Sequence, residues 1–317
     1  MSFNFLQPIR ALVASLSFSS LPPNATPQAV EPERNLKMVV RIGILSCYHT
    51  SGIVKEKFGE FEDVYKSFLR QTAPDGIREV VDETKGDGDY VFEAFDATAS
   101  DSLPHERLDE FDCFMITGSP ASANDEMEWV IRLAEFIAQV AESRPQIRFL
   151  GICFGHQIIA RAMGGKVEYN GGTWEAGPTD MKLTEVGKRV FGEDTDREWT
   201  LQQLHRDHVV QTPPNFEVLG SSPITPIQGM VRFRRGRERS GIRSEAEDEI
   251  QFLTTQGHPE FSEDLTMTVV DAFVVDGMMD AETAAAAKAR RGHHVDSDGV
   301  GKAMWNVILQ ASRSRKS

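Results

Sequence analysis

Cysteine is scarce in this chain. Among 317 residues there are three, Cys47, Cys113 and Cys153, each within or beside an apolar run, and no two form a C-x-x-C pair. Zinc-ribbon and dithiol redox chemistry therefore have no motif, and the usage fits a reducing compartment. Positive charge is also short, with 34 Lys and Arg against 48 Asp and Glu, a formal net charge of −14 and a pI near 5.1. That balance gives no broad grip on phosphate backbones or anionic lipid, so nucleic acid and membrane surfaces are excluded as partners. No apolar run approaches the roughly 20 residues that span a bilayer. No solenoid-type repeat occurs, nor any P-loop type glycine-rich cradle, since Gly86-Asp-Gly-Asp89 is an acidic turn.

What remains is an ordinary globular composition, 40% hydrophobic and 26% charged, with enough length for one large core. Residues 1–37 stand apart. They hold Arg10, several serines and no acid before Glu31, a loose likeness to a mitochondrial transit peptide, while Pro22, Pro23, Pro27 and Pro32 read as linker. A disordered leader or a misassigned start codon is the simpler reading, and the expected location is cytoplasmic, with mitochondrial import the alternative.

From residue 38 onward the pattern changes. Residues 38–45, 90–95, 111–116 and 147–152 are mostly apolar runs of strand length, as in a buried parallel sheet. Between them, residues 55–69 place Phe58, Phe61, Val64, Tyr65 and Phe68 on one helical stripe, and 125–140 repeat that spacing. A further helix is expected over 157–163, closed by Gly164 and Gly165. The pieces then shorten, with candidate strands at 179–183, 199–204, 216–219 and 227–231, a charged hairpin loop over 232–249 and a strand at 250–256. Ser262 is a plausible N-cap for a helix over 265–275, and 281–291 and 304–309 read as later helices. The fold class is α/β: a mostly parallel central sheet with helices on both faces and a small antiparallel extension. The expected domains are a leader (1–37), a catalytic domain (38–275) and a C-terminal helical tail (276–317).

The most informative segment is Phe149-Leu-Gly-Ile-Cys-Phe-Gly-His-Gln157. It reads as a buried strand turning sharply into a helix with Cys153 at the turn. The helix N-terminus supplies unpaired N–H groups and partial positive charge, which favour the thiolate that attacks carbonyls. Glycines 151 and 155 would let the backbone turn tightly, as in the elbow of serine hydrolases. Such a nucleophile needs a base and a carboxylate to orient it. In Gln256-Gly-His-Pro-Glu-Phe261, His258 and Glu260 stand at i and i+2, pointing the same way along extended backbone. Each alone reads as a turn residue or surface charge; their place behind a strand favours catalysis. Cys47 and Cys113 read as small core residues, and His156 as a local hydrogen-bonding group that faces the wrong way to serve as base.

The paired motifs, Gly151-Ile-Cys-Phe-Gly-His-Gln157 and Gln256-Gly-His-Pro-Glu-Phe261, resemble the class I (triad) glutamine amidotransferase family, in its GMP synthase-like branch. The likeness covers about residues 39–275 and includes Thr117-Gly-Ser-Pro120 and His205-Arg-Asp-His-Val209. It implies the flavodoxin-like amidotransferase fold and hydrolysis of a γ-glutamyl amide through a cysteinyl thioester. By that resemblance Cys153 is nucleophile, His258 acid and base, and Glu260 its orienting group. It further implies an oxyanion hole of backbone N–H groups at Gly118 and Phe154, and substrate contacts from Gln157, His205 and Asp207. No metal or organic cofactor is required. The 56 residues after Phe261 are too few for the ATP-pyrophosphatase domain of a full GMP synthase. The expected activity is therefore that of a free-standing hydrolase of glutamine or a γ-glutamyl peptide, including glutathione-type conjugates, similar to the plant γ-glutamyl peptidases. The alternatives are an ammonia-supplying subunit of a separate synthetase and a weakly active regulatory protein. Loops 48–54, 170–178 and 232–249 are expected to build the leaving-group pocket.

Overall fold

The computed structural model describes residues 39–81, 88–193, 196–234 and 249–314. The leader and most of the charged 232–249 segment lie outside the described residues. The chain opens with β1 (Val40–Ser46), α1 (Gly52–Phe58), α2 (Phe61–Thr72), β2 (Tyr90–Asp96), a 3-10 turn (His105–Glu110) and β3 (Cys113–Ile116). It continues with α3 (Glu128–Ser143), β4 (Arg148–Ile152), α4 (Phe154–Ala162), β5 (Lys166–Tyr169), β6 (Glu175–Leu183), α5 (Glu185–Phe191), β7 (Trp199–His205) and β8 (Asp207–Gln211). It ends with β9 (Glu217–Ser221), β10 (Gly229–Phe233), β11 (Ile250–Thr255), α6 (Glu263–Val275), α7 (Ala281–Lys288) and α8 (Ser297–Ser314). No helix among the described residues is long and apolar enough to cross a membrane.

Nine strands form one sheet in the order β2-β1-β3-β4-β11-β10-β9-β6-β7. The first five are parallel and the last four antiparallel, so the expected parallel core and antiparallel extension are one continuous sheet. β5 and β8 make a separate two-stranded ribbon that the sequence reading missed. The parallel strands alternate their side chains between two apolar layers, as period two requires. Phe114, Phe149 and Phe252 face α3 and α4, with Phe149 and Phe252 stacked at 4.9 Å. Met115, Leu150 and Leu253 face the opposite layer, which α2, α6 and α8 help to build.

Several boundaries differ from expectation for local reasons. The helix predicted over 55–69 is two helices, broken at Gly59, whose φ of 79° an L side chain rarely adopts. Ser262 does cap α6, its hydroxyl accepting from the Leu265 N–H at 3.1 Å. Beyond residue 276 the described residues include α7 and α8, as the expected helical segment requires, and α8 packs into the core. Val300, Met304, Trp305 and Ile308 of α8 are fully buried, and the Trp305 indole N–H donates to the Leu69 carbonyl at 2.9 Å.

Register decides where the chemistry sits. Leu45 lies opposite Ile116, Ile116 opposite Gly151, and Gly151 opposite Thr254. The carboxyl ends of β1, β3, β4 and β11 are therefore level, and the loops after them leave at one edge, the usual ligand edge of an open α/β sheet. The antiparallel half curls back to the same place, where the His258 N–H donates to the Gln202 carbonyl of β7 at 2.8 Å.

Candidate active site

Cys153 occupies the junction of β4 and α4 at φ 54°, ψ −106°, a strained conformation for a residue with a side chain. The glycines that flank it are needed for packing, not for positive φ. A side-chain carbon at Gly151 would lie 2.6 Å from the Gly155 carbonyl oxygen, and one at Gly155 would lie 2.2 Å from that of Ile116. The helix can start directly behind the sulfur only because nothing protrudes at either position. Phe154, the first helical residue, has no acceptor inside the helix for its N–H.

His258 and Glu260 arrive from the loop after β11. The His258 Nδ1–H donates to Glu260 Oε1 at 2.7 Å, and the Phe261 ring stacks on the imidazole with centroids 4.0 Å apart. Both members of the pair are buried. A carbon placed on Gly118 would be 3.0 Å from His258 Cε1 and 3.7 Å from Cys153 Cβ, so this glycine fills the gap between thiol and imidazole. Burial alone would favour neutral imidazole. The Glu260 carboxylate and the charge and hydrogen bond of Cys153 outweigh it and push the imidazolium pKa up to about 10. The other two cysteines are sealed in the core, where burial raises both thiols, Cys47 to about 12. His156 turns away from the site, its Nδ1 2.8 Å from Thr254 Oγ1, and burial lowers it to about 3.

In the sequence Tyr65 is one member of an apolar helical stripe. Its hydroxyl sits at the centre of the site, accepting the Gly118 N–H at 2.7 Å and interacting with the Glu260 carboxylate. Burial, then Glu260, raise its phenol well above the ordinary value. In this structure the Gly118 N–H is therefore already engaged, while the next N–H along the loop, of Ser119, has no acceptor among the described residues. Tyrosine as the one polar-tipped residue in an otherwise apolar stripe was the available signal.

The remaining predicted contacts converge on the same edge. The Gln157 side-chain N–H donates to the Asp207 carbonyl at 2.7 Å and to Gln256 Oε1 at 3.1 Å, so it ties the two loops together. The Asp207 carboxylate accepts from the Ser122 hydroxyl. His205 pairs with buried Glu175, Nε2 to Oε2 at 2.9 Å. Burial works against charge on Glu175, but His205, Ser222 and Thr225 hold its pKa below the ordinary range. All of this opens onto a cavity of about 700 Å³ lined by Cys153, Gln157, His205, Asp207 and His258. Loop 48–54 and Trp174 of loop 170–178 line it as expected. Loop 232–249 lies largely outside the described residues. The end of α6 and the turn behind it, residues 269–278, supply a wall that the sequence reading did not anticipate.

A parallel sheet with an elbow cysteine, an imidazole and a carboxylate at one edge defines a hydrolase-like enzyme with a triad-type architecture. The chain belongs to the class-I glutamine amidotransferase family, whose family model matches residues 89–276. A glutamine amidotransferase-like protein of Schizosaccharomyces pombe is 28% identical over 273 residues, 86% of this chain and 100% of that one. Gamma-glutamyl peptidase 4 of Arabidopsis thaliana is 26% identical over 267 residues, 82% of this chain and 90% of that one. A glutamine amidotransferase structure from Thermotoga maritima superposes with a TM-score of 0.53 at 17% identity, covering 88% of this chain and 98% of that one.

Proposed function

We propose that this enzyme hydrolyses γ-glutamyl amide bonds, of glutamine or a γ-glutamyl peptide, through a γ-glutamyl thioester on Cys153. The observation that carries the reading is His258, held 2.7 Å from Glu260, sharing one cavity with an elbow cysteine. Cys153 Sγ adds to the δ-carbonyl, and the developing oxyanion is met by the free N–H of Phe154. Ser119 offers the second donor, since the Gly118 N–H is held by Tyr65. Each such donor contributes about 3 kcal/mol in the transition state. His258 gives its proton to the leaving amine, then takes one from the water that cleaves the thioester and releases glutamate. Asp207 and Gln157 hold the glutamyl end, and His205 shapes the loop that carries Asp207.

A cavity near 700 Å³ falls in the range that takes drug-sized ligands, and free glutamine fills a small part of it. This favours γ-glutamyl peptides over glutamine. The test incubates the purified chain with glutamine, glutathione and an S-alkyl glutathione, and measures glutamate released. Cys153→Ala is expected to lower turnover by at least about 10⁴-fold with the unfolding transition retained; undiminished hydrolysis by that variant would refute the assignment.

A further inference from the structure

Arg206, between His205 and Asp207, plays no part in the mechanism above, yet it lines the same cavity as Cys153. Among the described lining residues it is the sole Lys or Arg. Its guanidinium carbon lies 4.7 Å from the Trp174 ring centroid and 5.7 Å from that of Tyr169, within cation–π range of both. No carboxylate of the described residues pairs with it, and its guanidinium N–H groups have no acceptor among them. By contrast, Arg70, Arg107, Arg144, Arg161 and Arg197 each hold a carboxylate. A planar cation with oriented, unspent donors facing a cavity suits bidentate binding of a carboxylate.

The clamp belongs to the outer part of the cavity. Tyr169 is 57% exposed, whereas Cys153 is 5% exposed. Large apolar residues gather at the same mouth: of the seven exposed among the described residues, Ile53, Tyr169, Val275 and Met278 line this cavity. The competing charge is limited, because Asp271 is paired with Lys288 and Asp207 with the Ser122 hydroxyl, leaving Asp276 at the C-terminal end of α6. Resting on the reading of Cys153 as nucleophile of γ-glutamyl hydrolysis, we propose that Arg206, clamped by Trp174 and Tyr169, receives a carboxylate of the leaving peptide. The enzyme then selects γ-glutamyl peptides with a free C-terminal carboxylate, and its apolar rim accommodates an apolar substituent on them.

The test compares the wild-type full chain with Arg206→Met and Arg206→Lys on glutamine, glutathione and glutathione amidated at its glycine. One charge-assisted contact is expected to be lost in Arg206→Met, raising KM for glutathione roughly 10- to 100-fold. Values of kcat should stay within about threefold, since the contact forms equally in ground and transition states. Glutamine and the amidated peptide should be indifferent to the change, and Arg206→Lys should recover part of the loss. Equal losses on glutamine and glutathione would overturn the proposal by assigning Arg206 to the glutamyl end, and no change on any substrate would overturn it too. If the wild type turned over none of the three, the γ-glutamyl reading itself would fall and this proposal with it; wild-type turnover with an indifferent Arg206→Met removes only the arginine's role.

Discussion

At the scale of single residues, the site couples strain, burial and charge. Cys153 is held in a backbone conformation costing about 1–3 kcal/mol, which the packed strand and helix around it impose. His258 is buried between the Phe261 ring and Gly118 with its proton directed to Glu260. Its pKa lies above the ordinary value of 6.5, at about 10, so the native state binds the proton more tightly than the unfolded chain. That contribution to stability is complete below about pH 6.5 and is lost as pH rises through about 10. Activity that depends on the imidazolium should persist into alkaline solution and fall near pH 10. Glu260→Gln removes the largest cause that raises the value, so the alkaline limb of kcat/KM should move toward neutral pH and kcat should drop. A pH–rate profile of that variant checks this, and an unmoved limb would show that Glu260 does not set the charge of His258.

At the scale of elements, the elbow works because β3, β4 and α4 meet with no side chain between them. Gly155 illustrates the demand. Its ordinary φ gives no reason for glycine, but an added carbon would sit 2.2 Å from the Ile116 carbonyl, a backbone atom that cannot move without shifting a central strand. Gly155→Ala should therefore cost about 3 kcal/mol by urea unfolding, at the upper end of overpacking effects, and should lower activity by tilting α4. The elbow itself is legible in sequence, since the apolar strand runs into glycine, cysteine and glycine at alternate positions 151, 153 and 155. The reason for its second glycine was not, because the oxygen it avoids is 39 residues upstream (155 − 116). The break at Gly59 was likewise hidden, as apolar spacing alone continues smoothly from Phe58 to Phe61.

At the scale of the whole molecule, distant segments close the core and wall the cavity. The α8 helix packs on the layer built by α2 and the parallel strands, and Trp305, 0% exposed, stacks edgewise on Tyr90 with centroids 4.8 Å apart. Trp305→Ala should cost about 3–5 kcal/mol by denaturant midpoint, although it is far from Cys153 in sequence. A cost below about 1 kcal/mol would show that α8 contributes little to the core. The antiparallel half has a similar long-range role, since β7 curls back to bond the His258 backbone and, with the turn into β8, brings His205, Arg206 and Asp207 to the cavity.

The sequence by itself determined the fold class, the apolar strands of a mostly parallel sheet and the motifs around Cys153 and His258, while the order of the strands came from the tertiary structure. These depend on local periodicity and on chemistry carried by neighbouring residues. Only the tertiary structure decided that Tyr65 occupies the Gly118 N–H, that Gln157 ties two loops and that Arg206 stands between two rings facing the cavity. Each of those depends on side chains brought together from separate strands by sheet register and curl, and no short-range pattern in the chain records such meetings.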